Sequence, residues 1–356
     1  MSAPLPLIDD ATREAAVHGS WCPKLCSHAC PVLSATGRDD AVPWSLHRTV
    51  ADLAARHISA ASAARQLEAC TGCLGCQVPC VFGQDVPAQV RAGRAAVAAA
   101  GSPLDARQAA VTAVAAGRSP YHVPTPAVPT ASTTPDPVEL TVVVGCRDTT
   151  EVVAAAAVLY EAAGVCARFV VPDGCCGAIL TDLGAPDEAA EAGRSLRDRI
   201  GEGPTVVLDP HCLGSTGTRE AIHVTTSLAE LVDRGDLTFA DGDLGPVAYH
   251  DPCLLARGPA PVIEPPRRLL AAAGYTVVDP EASARHTGCS GAGLGFDLVD
   301  PDAAAAVARR RGTQLDAAAP TAATACSGAR RMLSAERGSV HDVLVLLAAR
   351  LTRTPT

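Results

Sequence analysis

Fourteen of the fifteen cysteines in this 356-residue chain fall into groups, and what the chain can fold into is constrained above all by those groups. The most regular is Cys70-Thr-Gly-Cys73-Leu-Gly-Cys76-Gln-Val-Pro-Cys80. Three thiolates at two-residue gaps can turn inward on one tight loop and hold three irons of a cubane, while a fourth, three residues further on, points to a neighbouring cluster. Gly72 and Gly75 let the backbone bend there. Zinc is the alternative, but zinc sites usually pair separated Cys-x2-Cys units instead of placing four cysteines within eleven residues. An earlier group, Cys22-Pro-Lys-Leu-Cys26-Ser-His-Ala-Cys30-Pro31, keeps the closing Cys-Pro of a ferredoxin motif but has Ser20 and Pro23 where a regular motif has cysteines.

Around these groups the chain changes character. Up to residue 118 the pattern is helical: Ser45 caps a helix through the His47–Arg56 region, Ser59 opens one ending near Cys70, Asp85 opens one stopping by Gly101, and Ser102-Pro103 starts one that Gly117 ends. No strand is expected there. Residues 119–137 are rich in Pro, Ser and Thr without apolar period and read as a semi-extended linker. Beyond it, apolar runs alternate with helical stretches, the pattern of parallel βαβ units. Strands are expected at Leu140–Gly145, Arg168–Val171 and Thr205–Leu208, then at Pro246–Tyr249, Tyr275–Val278 and Ala322–Ala325, with a last helix over Val340–Leu351. The fold class is therefore multidomain: an all-α ferredoxin-like domain (1–118), then two α/β cysteine-rich repeats with parallel sheets (138–245 and 246–356).

The cysteines make the two halves look like copies. The first half has Cys146, Cys175-Cys176-Gly177 and Cys212; the second has Cys253, Cys289-Ser290-Gly291 and Cys326, with equal spacing from Cys175 to Cys212 and from Cys289 to Cys326. A long period present twice indicates duplication, not a repeat array. Each of these cysteines follows an expected strand or sits on a glycine-flanked loop, and ligands collect at the carboxyl ends of strands in open parallel sheets. The first half keeps four thiols, enough for a cubane; the second keeps three and is expected to hold a weaker centre or none.

Composition excludes other classes. A net charge of −9 argues against a binder of nucleic-acid phosphates, and 3% aromatic content leaves few stacking platforms. No targeting segment or membrane span is legible, so the expected location is cytoplasmic, with peripheral membrane association left open. In a reducing compartment this many cysteines point to metal or redox chemistry, not disulfides. Gly291–Phe296 has the wrong glycine spacing for a dinucleotide fingerprint. His28, His211 and His250 each stand beside a cysteine group, where a structural histidine is the commoner reading.

These residues together resemble a known family. The two N-terminal groups, VVVGC ending at Cys146, GCCGA at 174–178, HDPCLLARG at 250–258, PRRLLAAAGY at 266–275 and CSGAG at 289–293 are similar to iron–sulfur subunits related to heterodisulfide reductase, glycolate oxidase and lactate utilisation. The resemblance implies electron transfer between a flavin-dependent oxidoreductase subunit and another acceptor, through 4Fe–4S clusters. Some members reduce disulfides at the Cys-Cys-Gly site. Ser290, and Ser215 and Ala329 three residues after Cys212 and Cys326, replace cysteines of the full motif and favour the simpler relay. A thiol/disulfide reductase and a zinc- or cluster-stabilised scaffold remain the alternatives. In two-cluster ferredoxins the closing cysteine of each group serves the other cluster, so Cys70, Cys73 and Cys76 should share one cubane with Cys30. Cys22, Cys26 and Cys80 would then hold a three-iron form or take a non-cysteine ligand, His28 being nearest in sequence.

Overall fold

The computed structural model describes residues 8–129, 138–217 and 220–352; the last part of the expected linker, 130–137, lies outside them. Two compact units are present. One comprises 8–112, 179–190 and 288–311, the other 113–178, 191–287 and 312–352.

The first unit contains no strand among its described residues. Its helices start where the chain supplies caps: Ser59 accepts from the Ser62 N–H ahead of Ala60–Leu67, Asp85 accepts from the Ala88 N–H ahead of Val86–Ala99, and Pro43 opens Pro43–Ala54 without needing an N–H. Helix Pro43–Ala54 buries Leu46, Val50 and Leu53 and packs against Asp10–Trp21, Ala60–Leu67 and Val86–Ala99. The segments 179–190 and 288–311 join this unit through Arg94. Its fully buried guanidinium donates to Leu67 O (3.0 and 2.9 Å), Asp182 O (2.8 Å) and Leu294 O (2.7 Å).

The second unit carries two four-stranded parallel sheets. The strands are β1 (Leu140–Val143), β2 (Ala167–Val170), β3 (Thr205–Val207) and β4 (Ile222–His223), ordered β2-β1-β3-β4, then β5 (Pro246–His250), β6 (Thr276–Val278), β7 (Thr321–Thr324) and β8 (His341–Asp342), ordered β6-β5-β7-β8. Strand order and direction are the same in both. One core serves both sheets, because helix Thr150–Ala162 packs on Val343–Ala348 and Val224–Arg234 packs on Glu264–Ala272. The six expected strands are present within a residue or two at each end. The expected helix over Val340–Leu351 is shorter, Val343–Ala348: His341–Asp342 pairs with β7 instead, and the Asp342 side chain then caps the helix by accepting from the Leu344 N–H.

His223 ends β4 and caps Val224–Arg234. Its Nδ1 accepts from the Thr225 N–H (3.3 Å), so Nε2 carries the proton and donates to Leu208 O (3.1 Å). Only the neutral ring can do both, and burial lowers its pKa from 6.5 to about 4. A histidine with a depressed folded pKa contributes stability above pH 6.5 and loses it as pH falls through 4, here on the order of 3 kcal/mol. Stability measured by chemical denaturation should fall from pH 6.5 to 4, and less steeply in His223→Gln. A separate expectation concerns Arg94→Met, which strands three buried carbonyls at ~1–3 kcal/mol each and should cost roughly 3 kcal/mol or more in urea unfolding.

Candidate functional site

The first unit gathers all seven N-terminal cysteines. Cys22 ends helix Asp10–Trp21, Cys26 lies in the short helix Leu25–Ala29, Cys30 precedes Pro31–Thr36, and Cys76 lies in the short helix Gly75–Gln77. The two short helices pack together. Each is preceded by a non-glycine residue in the left-handed region, Lys24 (φ 64°) and Leu74 (φ 59°), two positions before a cysteine. Such strain persists where the surroundings over-determine it, and here it turns the loops inward. Gly72 (φ 63°) is needed twice over, since a Cβ would also lie 2.9 Å from Leu294 Cβ.

The thiols sort into two neighbourhoods that cross the sequence groups. Burial pushes Cys30 up to about 12, and the nearby Cys73 and Cys70 add to the rise; burial also raises Cys70 to about 11. Cys76 is driven well up by burial and by Cys73, Cys70, Cys26 and Cys30. Cys26 is raised by burial and by Cys22 and Cys80. Cys30, Cys70, Cys73 and Cys76 line one small hollow, walled otherwise mainly by apolar groups such as Val32, Leu46 and Val86. Buried thiols that repel one another as thiolates are stable only while protonated or when a cation replaces the protons. The donor set therefore fits a thiolate-bound metal group. Arg94 adds a buried positive charge beside Cys70, which thiolates would balance.

In the second unit, the ends of β1 and β3 and the loop after β2 bring Cys146, Cys175, Cys176 and Cys212 together. Cys146 Sγ is 3.8 Å from Cys175 Sγ, and the Gly177 N–H donates to Cys175 Sγ (3.4 Å). Cys176 accepts from both Cys175 and Cys212, which holds its thiol low and its neighbours high. Ser119 fixes the Cys146 loop by donating to Cys146 O (2.7 Å). Cys253 opens helix Cys253–Arg257 after β5, and Cys326 caps Ser327–Arg337 after β7, accepting from the Ala329 N–H (3.5 Å). Cys289 and Ser290 belong to the first unit, where the Gly291 N–H donates to Cys289 Sγ (3.3 Å).

Sequence reasoning missed the charged pair between these thiols. Arg147 and Asp209 are each 2% exposed, with Nε–Oδ2 at 3.1 Å and Nη2–Oδ1 at 3.2 Å. His211 Nδ1 touches both partners, and the Tyr121 ring lies 5.1 Å from the guanidinium. Gly328 leaves the room: a Cβ there would meet Arg147 Nη1 at 2.3 Å. Burial would raise Asp209, but Arg147 and His211 outweigh it and hold the carboxyl well below its usual range. Asp148, which accepts from Ser327, is lifted to about 8 by burial and by Asp209. Donor atoms of Asp209, His211 and Cys326 lie within 4.8 Å of one another. In a chain with one lysine and 28 arginines, nothing in the sequence distinguishes Arg147 from the rest.

Residues 247–334 match the CCG family, described as a cysteine-rich domain. The chain is also 32% identical over 202 residues to a subunit of the dihydromethanophenazine:CoB–CoM heterodisulfide reductase of Methanosarcina acetivorans, covering 50% of this chain and 49% of that one. In these segments the chain is similar to heterodisulfide reductase-related iron–sulfur proteins. The corresponding subunit of the Methanosarcina barkeri enzyme matches at 31% over 150 residues (40% of this chain, 36% of the relative). A probable membrane-anchored ferredoxin of Chromohalobacter salexigens matches at 30% over 141 residues (37% and 21%). The chain thus spans about half the length, or less, of the curated relatives it matches. Among its described residues no helix is long and apolar enough to cross a membrane.

Arg147→Met leaves an ionised Asp209 buried with only His211 beside it, so urea unfolding of the full chain should report a loss of about 3 kcal/mol. Adding Asp209→Leu should restore most of it, because the pair stabilises chiefly by not being half-broken.

Proposed function

We propose that this chain is an iron–sulfur electron-transfer subunit that relays electrons between a flavin-dependent oxidoreductase partner and another acceptor. In this reading residues 1–118 hold two clusters, one on Cys30, Cys70, Cys73 and Cys76, the other on Cys22, Cys26 and Cys80 with a ligand other than cysteine or as a three-iron form. Cys146, Cys175, Cys176 and Cys212 form a further redox site in repeat 138–245, and repeat 246–356 is its degenerate copy. The common strand order of the two sheets supports a duplication. Relatives that are themselves heterodisulfide reductase subunits support membership of a multisubunit reductase, and the proposed location is cytoplasmic.

The observation that carries the reading is the crossed neighbourhood of the thiols. Cys30 has Cys73 and Cys70 of the other sequence group as neighbours, and Cys26 has Cys80 beside it as well as Cys22. Separate zinc loops would have no reason to exchange their last cysteine, whereas two-cluster ferredoxins do so. When bound, such clusters supply one-electron storage. The protein's part is to exclude water around Cys76 and Cys73, to set Arg94 beside Cys70 as a counter-charge, and to direct the Gly72 N–H at Cys70 Sγ (3.4 Å), which favours added negative charge on the sulfur. The thiol/disulfide reductase is the second reading, favoured by Cys176 as the acidic thiol of its group.

Anaerobically purified protein should be brown and contain iron. In electron paramagnetic resonance, Cys30→Ala should abolish the signal of the Cys70/Cys73/Cys76 centre, and Cys80→Ala should alter only the other. Colourless protein loaded with zinc, or loss of the Cys70/Cys73/Cys76 signal in Cys80→Ala alone, would overturn the proposal.

A further inference from the structure

Aromatic residues are scarce in this chain: two Trp, four Tyr and four Phe. Burying them is the ordinary outcome, so it is informative that two are conspicuously exposed and that both flank the same thiols. Trp21 is 75% exposed and immediately precedes Cys22, and Phe82 is 47% exposed, two residues after Cys80. Val81 (74%), Leu25 (48%) and Val17 (43%) complete the set, five of the nine large apolar residues exposed among the described residues. They form one face. The Phe82 ring packs at 4.4 Å on His18 of helix Asp10–Trp21, and Cys26, which follows Leu25, has Cys22 and Cys80 as neighbours. A contiguous exposed apolar patch on a protein otherwise this well buried marks an interaction site.

The charge around that face differs from the charge of the whole. The chain carries −9, yet residues 17–28 contain Lys24, His18 and His28 and no acid, and residues 80–84 contain no charged residue. Lys24 is the only lysine; its ammonium is held 3.9 Å over the Trp44 ring, and Arg48 lies 5.8 Å from the Trp21 ring. An apolar centre edged by Lys24, with no carboxylate in its own segments, complements an acidic partner. A membrane surface would also accept Trp and Phe, but each Lys or Arg near anionic lipid supplies only ~1 kcal/mol, and one lysine with an arginine already paired to Asp52 is too little to hold a protein of net charge −9.

We propose that the face made by Val17, Trp21, Leu25, Val81 and Phe82 is the docking surface for an anionic one-electron carrier protein, seated directly over Cys22, Cys26 and Cys80. The inference rests on the electron-transfer reading and adds where electrons cross the surface. The reduced carrier loses one electron and this protein gains it, with no bond made or broken. Seating the carrier on the thiols that lack a fourth cysteine puts the exchange at the group nearest solvent and leaves the enclosed Cys30/Cys70/Cys73/Cys76 set further along the path.

The test is anaerobic isothermal titration of the iron-loaded full chain with an anionic flavodoxin, an anionic 2Fe–2S ferredoxin and a cationic cytochrome c. Both anionic carriers should bind, at least tenfold more weakly at high salt, and cytochrome c should not. Trp21→Glu/Phe82→Glu should weaken carrier binding at least tenfold with iron content and visible spectrum unchanged. Lys24→Glu, which leaves the apolar centre intact, should weaken it about threefold and flatten the salt dependence, and Leu244→Glu, exposed elsewhere, should do nothing. The proposal is overturned if the double variant binds as tightly as wild type, if neither anionic carrier binds, or if wild type but not the double variant sediments with phosphatidylglycerol vesicles while carriers bind neither. Wild-type protein that binds both carriers through this face yet takes no electron from either in its reduced form would sink the electron-transfer reading and leave the docking face standing.

Discussion

A guanidinium taken wholly out of water is among the most costly things a fold can contain, and Arg94 is one. Its hydrogen bonds run to backbone carbonyls of three distant stretches, while the nearby Asp182 carboxylate is engaged by Arg91 (2.7 Å). The carbonyls satisfy its donors but do not cancel its charge. What stands ready to do so is the thiol set beginning at Cys70, just past the Leu67 and Glu68 carbonyls that Arg94 grips. The same side chain thus fixes the approach of the cysteine loop and supplies the field that favours thiolates in it. Arg147 meets the same difficulty differently, by a two-point pair with Asp209 inside the second unit. One buried cation is held mainly by carbonyls, the other by a carboxylate.

The parts of this structure legible in the sequence are those set by local rules. Val-rich runs bounded by Gly and Pro became parallel strands, and Ser59 and Asp85 capped the helices they were expected to cap. β4 and β8 were not legible, since a two-residue edge strand has no period to detect and exists only because β3 or β7 offers it a free edge. The helices that follow them, Val224–Arg234 and the shortened Val343–Ala348, take their start from caps at His223 and Asp342 that only the folded chain reveals.

The site divides in the same way. Cysteine spacing singled out the thiols because each group is local in sequence. It could not show that Arg147, Asp209, His211 and Gly328, from three places in the chain, meet around one buried charge. Nor does any spacing rule foresee Trp21 and Phe82 left in solvent. Exposure is a property of what packs nearby, and in sequence an aromatic beside a cysteine reads as core.

The first unit is assembled from residues 8–112, 179–190 and 288–311, and this bears on how the chain is made. A ribosome delivers the N-terminal cysteines first, but Asp182 and Leu294, which receive the Arg94 guanidinium, emerge far later, at ~5–20 residues per second some tens of seconds after Cys30. During that interval the nascent loops carry reactive thiols and an Arg94 whose partners have not yet been synthesised. Completion of this unit is therefore a late event, coupled to the near-completion of the polypeptide and not to the appearance of its cysteines.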